Sequence, residues 1–382
     1  MDASPITHLH VHSHFSLLGA TPRVDHLAAR AAADGMTALA LTDSHALYGA
    51  VSFARACRAE DVHPIIGMTV AVQPPADLLS VDKPDQLVLL ATGPDGYRSL
   101  CRLSSAIQNH PDREDRIVRG LAWDDLRANH AGLLCLSGGR RSWIAHLLRN
   151  GQDALALRLA GRVAGLFGEG QTFLALEIHD ETDHAVARSC VDIGRRLGIP
   201  CAAVQPVYTL LPEERHNLRL LAAIHHNCRL EDVPRHGLPD DGDAGVDVHW
   251  LTPAEMTARF ADFPAALAQT DAIADLCDDC LPSGAPIWPN ILPAVDTANP
   301  EPAAEESIIS SSHHHLTIAA NKGLIEHYAA NAPAILPRLT HELDAIAVHG
   351  YAPLFLLVAD IVAYARRHEI PVSTRGSVAN SL

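Results

Sequence analysis

His8-Leu9-His10-Val11-His12-Ser13 alternates imidazoles with aliphatic side chains. Successive side chains of a β-strand point to opposite faces, so this spacing predicts His8, His10 and His12 on one face and Leu9 and Val11 on the other. Neutral imidazole is the commonest protein ligand for zinc, manganese and iron, and three on one side of a strand can grip a metal. The competing reading is a surface strand that is merely His-rich, in a chain with 24 histidines among 382 residues.

Downstream, short apolar runs alternate with amphipathic stretches. Strands are predicted at Thr7 to Val11, Ala38 to Leu41, Ile65 to Val72, Gln86 to Leu90, Gly132 to Leu136, Phe173 to Ile178 and Pro200 to Val204. Helices are predicted at Arg23 to Ala33, Ala50 to Ala59, Gly96 to Ala106, Trp143 to Arg149, Gln152 to Leu166 and His184 to Leu197. Repetition of this kind implies an α/β fold with a parallel sheet, helices outside, and a closed or nearly closed barrel. Active sites of such barrels lie at the carboxyl ends of the strands, where His10, His12, Asp43 and His45 fall. From Glu213 to Cys280 the pattern is helical around a Pro-, Gly- and Asp-rich loop, Pro234 to Asp247. Six prolines between 282 and 305 read as an extended linker. Helices then follow around Leu316 to Ala329, Ile335 to Val348 and Leu354 to Arg367.

Composition fits a globular protein, with 48% hydrophobic and 19% charged residues. No run approaches the roughly 18 uninterrupted apolar residues of a membrane span, and residues 1 to 20 lack the basic start and apolar core of a signal peptide. Eight cysteines without a regular framework suit a reducing cytoplasm. A net charge of -16 argues against a stand-alone nucleic-acid binder, because phosphate contacts need clustered Lys and Arg.

Beyond these patterns, the opening strand is followed by His14-Phe15-Ser16-Leu17-Leu18-Gly19-Ala20, then Leu41-Thr42-Asp43-Ser44-His45 and Leu47-Tyr48-Gly49. Pro64-Ile65-Ile66-Gly67, Leu134-Cys135-Leu136-Ser137-Gly138 and Leu174-Ala175-Leu176-Glu177 continue the series. Gly350-Tyr351-Ala352-Pro353-Leu354-Phe355 leads to Thr374-Arg375-Gly376-Ser377-Val378-Ala379-Asn380-Ser381-Leu382. In order and spacing this resembles the polymerase-and-histidinol-phosphatase (PHP) domain and the first part of the palm of the bacterial DNA polymerase III alpha subunit and its error-prone relatives. The resemblance covers essentially the whole chain. It implies a distorted (β/α)7 PHP barrel followed by a mainly helical segment leading into the polymerase palm. The expected divisions are 1–212 for the PHP domain, 213–281 for a helical extension, 282–305 for the linker and 306–382 for a truncated palm, in an amino-terminal fragment of a longer polymerase.

Metal-bearing PHP domains use two histidines of the first motif, here matching His10 and His12. They add a carboxylate after the Ser-Leu-Leu run, a histidine directly after Thr-Asp, a glutamate after the Ile-x-Gly strand and an Asp-x-His pair near the last strand. Those positions here hold Gly19, Ser44, Thr69, and Pro206 with Tyr208. His45, one place beyond the expected histidine, is a candidate substitute, although a one-residue shift at a strand end re-aims a side chain. A cluster of two or three metals needs about a dozen donor atoms. The expectation is therefore a vestigial site at His10, His12 and His45, with no cofactor in this fragment; zinc or manganese at a residual site is the alternative, and magnesium belongs to the parent polymerase. Arg375, Gly376 and Ser377 match the family's nucleotide-triphosphate cradle, with Thr374 where the family has glycine. The Asp-x-Asp pair that binds the family's catalytic magnesium ions lies downstream of the matched segment.

Weaker candidates are Cys277-Asp278-Asp279-Cys280, half of a zinc spacing that reads as the polar end of a helix, and His313-His314-His315 after Ser312, which reads as a helix start with Ser312 as cap. His225-His226 reads as a solvated helix face. Two functions follow. The first is a non-catalytic PHP platform of a DNA-directed DNA polymerase acting in replication or translesion synthesis, in the cytoplasm. DNA and deoxynucleotide triphosphates would be bound through the remaining polymerase, with a sliding clamp and other replisome subunits as partners. The second is a surviving metal-dependent phosphoesterase, proofreading a 3' end or hydrolysing a small phosphate ester.

Overall fold

The computed structural model describes residues 6–73, 75, 84–285, 305–373 and 382. The chain divides into two compact units, Met1–Pro282 and Ser283–Leu382.

The first unit is built on a curled sheet of six strands in sequence order: β1 (Ala38–Leu41), β2 (His63–Val72), β3 (Asp85–Ala91), β4 (Leu133–Ser137), β5 (Thr172–Leu176) and β6 (Cys201–Ala203). Helix α1 (Val24–Ala33) precedes β1 and α2 (Ala50–Ala59) follows it. Helices α3 (Pro94–Gln108), α4 (Arg113–Arg119) and α5 (Trp123–Ala128) lie between β3 and β4, α6 (Trp143–Arg149) and α7 (Asp153–Phe167) between β4 and β5, and α8 (Glu181–Leu197) before β6.

The expectation of a wholly parallel sheet is corrected at β3, which runs antiparallel to both β2 and β4. A parallel connection needs a crossover, usually a helix. The sequence of 73–84 carries three prolines and no helical apolar repeat, and the antiparallel pairing of Val72 with Asp85 requires no crossover. The reversal brings the start of β3, Asp85 and Gln86, to the end of the barrel where the other strands finish.

The amino-terminal segment joins the two edges of the sheet, taking the place of a seventh strand. Ala40 N–H donates to the His8 carbonyl at 3.0 Å and Thr42 N–H to Val11 at 2.8 Å. On its other side His12 N–H donates to Val207 at 2.8 Å, and Val207 N–H returns to His10 at 2.9 Å.

Every second residue of the strands enters one inner core: Ala38 and Ala40, Ile65, Val88 and Leu90, Leu134 and Leu136, Phe173 and Ala175, Ala202 and Val204. Only the interior of a curled sheet can be reached from all six strands. The intervening residues, such as Leu39, Met68, Leu87 and Cys135, face α1, α2 and α3. Because both faces are covered, the strands read as continuous apolar runs rather than alternating ones.

Three further helices, α9 (Arg215–His225), α10 (Pro253–Arg259) and α11 (Pro264–Ala274), belong to the same unit. Met256, Phe260 and Leu267 share a core with Ile144, Leu159 and Leu174, while Ile273, Ala274 and Cys277 plug the inner core. Cys277-Asp278-Asp279-Cys280 is therefore not a polar helix end. It lies beyond α11 with both thiols buried, and burial pushes them up to about 12 and about 11.

The second unit contains α12 (Glu305–Tyr328), α13 (Ala332–Val348) and α14 (Ala352–Arg367), packed around Leu324, Leu339 and Leu343. Ser312 does not start α12 but lies inside it, since no Gly or Pro interrupts the sequence from 305 to 316 and the helix propagates upstream. Among the described residues no single helix is long and apolar enough to cross a membrane.

Candidate functional site

The carboxyl ends of the strands converge on a polar mouth organised by Asp43, two residues past β1. Its carboxylate is buried and accepts from Ser13 N–H at 2.7 Å, Ser13 Oγ at 2.8 Å and Ser16 Oγ at 2.7 Å. Ser16 gives its hydroxyl proton to Asp43, so its oxygen accepts from Ser44 N–H at 3.0 Å and from His12 Nδ1, also at 3.0 Å. His12 therefore carries its proton on Nδ1 and presents a bare Nε2. The Nε2 of His10 lies 3.0 Å from that atom and donates to it.

Tyr208 completes the packing. Its ring stacks on His12 with centroids 4.1 Å apart and planes at 13°, and meets His10 edge-on at 6.2 Å. Burial holds His10 at about 4 and His12 well below its ordinary value, the latter also disfavoured by the positive charge of Arg141. Both rings are neutral at pH 7.

His8 does not join this pair. The backbone bends at His10, and Leu9 enters the inner core whereas Val11 enters the outer one, so the alternation that would align three imidazoles is broken. His8 instead bonds the Leu251 carbonyl at 2.8 Å and packs edge-on against Trp250.

His45 sits in the left-handed region at φ 60° and lies close enough to act electrostatically on His12, although no hydrogen bond or ring contact joins the two among the described residues. Its N–H donates to Thr69 at 2.9 Å and its carbonyl accepts from Ser104 and Gln108. Its buried Nδ1 has no hydrogen-bond partner, and burial lowers the ring to about 4.

Several mouth residues carry no pattern visible at the level of spacing. Glu177, just past β5, accepts from Arg140 N–H at 2.7 Å and from His179 Nε2 at 2.9 Å. His179 Nδ1 accepts from Asp247 N–H at 3.2 Å, which places the ring proton on Nε2. Burial alone would raise the Glu177 carboxyl, but the hydrogen bonds from His179 and Arg140 N–H help to lower it. The available signal was a charged residue ending an apolar run. Asp85, on the outer face of the reversed strand against the start of α6 rather than in the mouth, could be found only through that reversal. It accepts from Trp143 N–H at 2.8 Å and Gln86 N–H at 3.0 Å, and its burial raises the carboxyl to about 7.

This donor set does not fit a multinuclear metal cluster. His10 and His12 supply two nitrogens, while Gly19, Ser44, Thr69, Pro206 and Tyr208 stand at the positions that the resemblance implies for the other ligands, and the Tyr208 ring lies flat on one of the two imidazoles. Among the described residues no group of three or more His, Cys, Asp or Glu is placed to hold a metal. Arg375, Gly376 and Ser377 lie outside the described residues.

A barrel of six strands with a histidine pair at the mouth defines a PHP-type domain, and the family model described as "PHP domain" matches residues 8–180. The model described as "Bacterial DNA polymerase III alpha NTPase domain" matches residues 314–382. The error-prone DNA polymerase of Symbiobacterium thermophilum is 35% identical over 393 residues, covering 98% of this chain and 33% of that protein. DNA polymerase III subunit alpha of Bacillus subtilis is 30% identical over 378 residues, covering 98% and 31%. The chain belongs to the bacterial DNA polymerase III alpha family, in which replicative and error-prone members both occur among its relatives. It spans about a third of the length of these curated relatives. Among solved structures, an amidohydrolase from Chromobacterium violaceum with bound sulfate and no metal matches at 14% identity and a TM-score of 0.34, over 53% of this chain and 87% of that one, too distant a likeness to bear on the site.

Proposed function

We propose that this chain is the amino-terminal part of a DNA polymerase III alpha-type polymerase whose PHP barrel is a structural platform rather than a phosphoesterase. One observation carries the reading: the His12 imidazole is stacked flat on Tyr208, at a position where the family resemblance implies a histidine ligand. A mouth filled by ring stacking and by the His10, His12, Ser16 and Asp43 hydrogen bonds has side chains where a cluster would need open coordination positions. In this reading the barrel comprises residues 1–212, supported by the helices of 213–281, and residues 306–382 begin the palm. Binding of DNA and deoxynucleotide triphosphates, with magnesium for phosphoryl transfer, belongs to the polymerase as a whole. A sliding clamp and other replisome subunits are its partners, and the cytoplasm is its compartment.

The test is elemental analysis for zinc, manganese and iron on protein with His313, His314 and His315 replaced, paired with phosphoesterase assays on a DNA 3' end and a small phosphate ester. The platform reading expects metal well below stoichiometric and no metal-dependent hydrolysis. Stoichiometric metal with hydrolysis lost in His10→Ala/His12→Ala would establish the phosphoesterase instead. The 3.0 Å approach of the two Nε2 atoms is the observation that favours that second outcome.

A further inference from the structure

The loop that follows β4, Ser137-Gly138-Gly139-Arg140-Arg141, brings two guanidinium groups to the mouth of the barrel. Gly138 takes φ 118°, a left-handed conformation that favours glycine. Arg141 lies close enough for its charge to act on His10, His12 and Tyr208.

The outer side of this loop is covered by the acidic segment 238–247. Arg141 Nη2 binds Asp241 Oδ1 at 2.8 Å and the Leu238 carbonyl, and Arg140 Nη2 lies 3.5 Å from Asp243 Oδ2. The segment is anchored independently by Arg215, which binds Asp240 Oδ2 at 2.6 Å, and by Arg259, which binds Asp247.

Even with this cover the arginines are not satisfied. Arg140 Nη1 and Arg141 Nε are buried and lack any acceptor, and the buried hydroxyl of Ser137 on the same loop also has no partner. Buried donors of this kind are rare in folded proteins and call for an explanation, of which a bound acceptor such as an anion is one. A carboxylate has two oxygens, and Asp241 already uses one on Arg141. A phosphate group offers more acceptor oxygens in tetrahedral arrangement, which suits two adjacent guanidinium forks and a hydroxyl.

We propose that Ser137, Arg140 and Arg141 form a metal-independent binding site for a phosphate group, and that Asp241 and Asp243 act as a tethered competitor that occupies it. The site needs no metal and so stands whether or not the platform reading does. The phosphate can come from a free phosphate or monoester, or from a nucleic-acid backbone.

The test titrates inorganic phosphate, and separately a short single-stranded DNA, into the full chain by calorimetry in the presence of EDTA. Asp241→Asn/Asp243→Asn is expected to bind at least one of them about tenfold more tightly than the unaltered protein, the factor for a competitor that leaves the site open about a tenth of the time. Adding Arg140→Gln/Arg141→Gln is expected to remove that gain. Tightening for phosphate identifies a free anion, and tightening for DNA alone identifies a backbone source; both support the site. Absence of tightening for either ligand, with circular dichroism and thermal midpoint retained, overturns it. So does a gain that survives loss of both arginines. Should the double loop variant fail to fold, Asp243→Asn alone, a half-exposed partner at 3.5 Å, is read by the same criteria.

Discussion

Replacing Asp85 by Asn should stabilise the barrel at alkaline pH and leave it nearly unchanged in acid. Asp85 is 2% exposed at the start of β3, and its Oδ1 accepts both the Trp143 and the Gln86 N–H. Asparagine retains that oxygen and both bonds while removing the buried charge. Burial lifts the carboxyl from 3.8 to about 7 against the opposing effect of the two N–H donors. Between those two values the folded chain holds a proton that the unfolded chain has released. Stability therefore falls as pH rises from about 4 to about 7, and the full cost is present above that window. A rise of about 3 units at ~1.4 kcal/mol each sets an upper figure of roughly 4 kcal/mol, which is what Asp85→Asn should regain at pH 8. The assay is denaturant unfolding of both proteins at pH 5 and pH 8, followed by tryptophan fluorescence, since Trp123, Trp143 and Trp250 all lie in the first unit. A variant less stable than the unaltered protein at pH 8, or a difference independent of pH, would refute the assignment of a costly buried carboxylate at the start of β3.

Three further outcomes follow from the packing. Gly96→Ala should cost about 3 kcal/mol, because its Cβ would stand 2.0 Å from the Gly132 carbonyl and 2.9 Å from Ala91 Cα; an unchanged denaturant midpoint would show that the backbones are not held in contact. Trp250→Phe removes the Nε1–H bond to Asp34 at 2.7 Å and should destabilise by roughly 1.5–3 kcal/mol, read as a lower midpoint in urea. Ser44→His/Tyr208→His should restore nitrogen donors beside His10 and His12, detected as cobalt(II) absorption bands that the unaltered chain lacks; no gain in binding would place the family's ligand positions elsewhere.

Much of the fold was legible in the chain. The boundaries of β1, α2 and α6 match their apolar and amphipathic runs, because polar or turn-forming residues flank them: Thr37 and Thr42 at β1, Gly49 and Glu60 at α2, Ser142 and Asn150 at α6. The direction of β3 was less accessible, because pairing depends on what the connecting segment can span, and only the three prolines of 73–84 hinted at it. The candidate site divides the same way. His10 and His12 announce themselves by spacing, but whether His8 joins them depends on a bend at His10 imposed by two different cores.

The sequence by itself determined the family, the strand-helix order and the identities of Gly19, Ser44, Thr69 and Pro206 at positions that the family resemblance assigns to ligands, since these are matters of residue identity and local period. Tertiary structure decided what occupies the mouth instead. Tyr208 meets His12 across 196 positions of chain, and Arg141 meets Asp241 across 100. Such contacts are set by the closure of the barrel and by burial, which pushes Asp85 up and His10 down. No local pattern encodes them, because their energy arises only when distant segments leave water together.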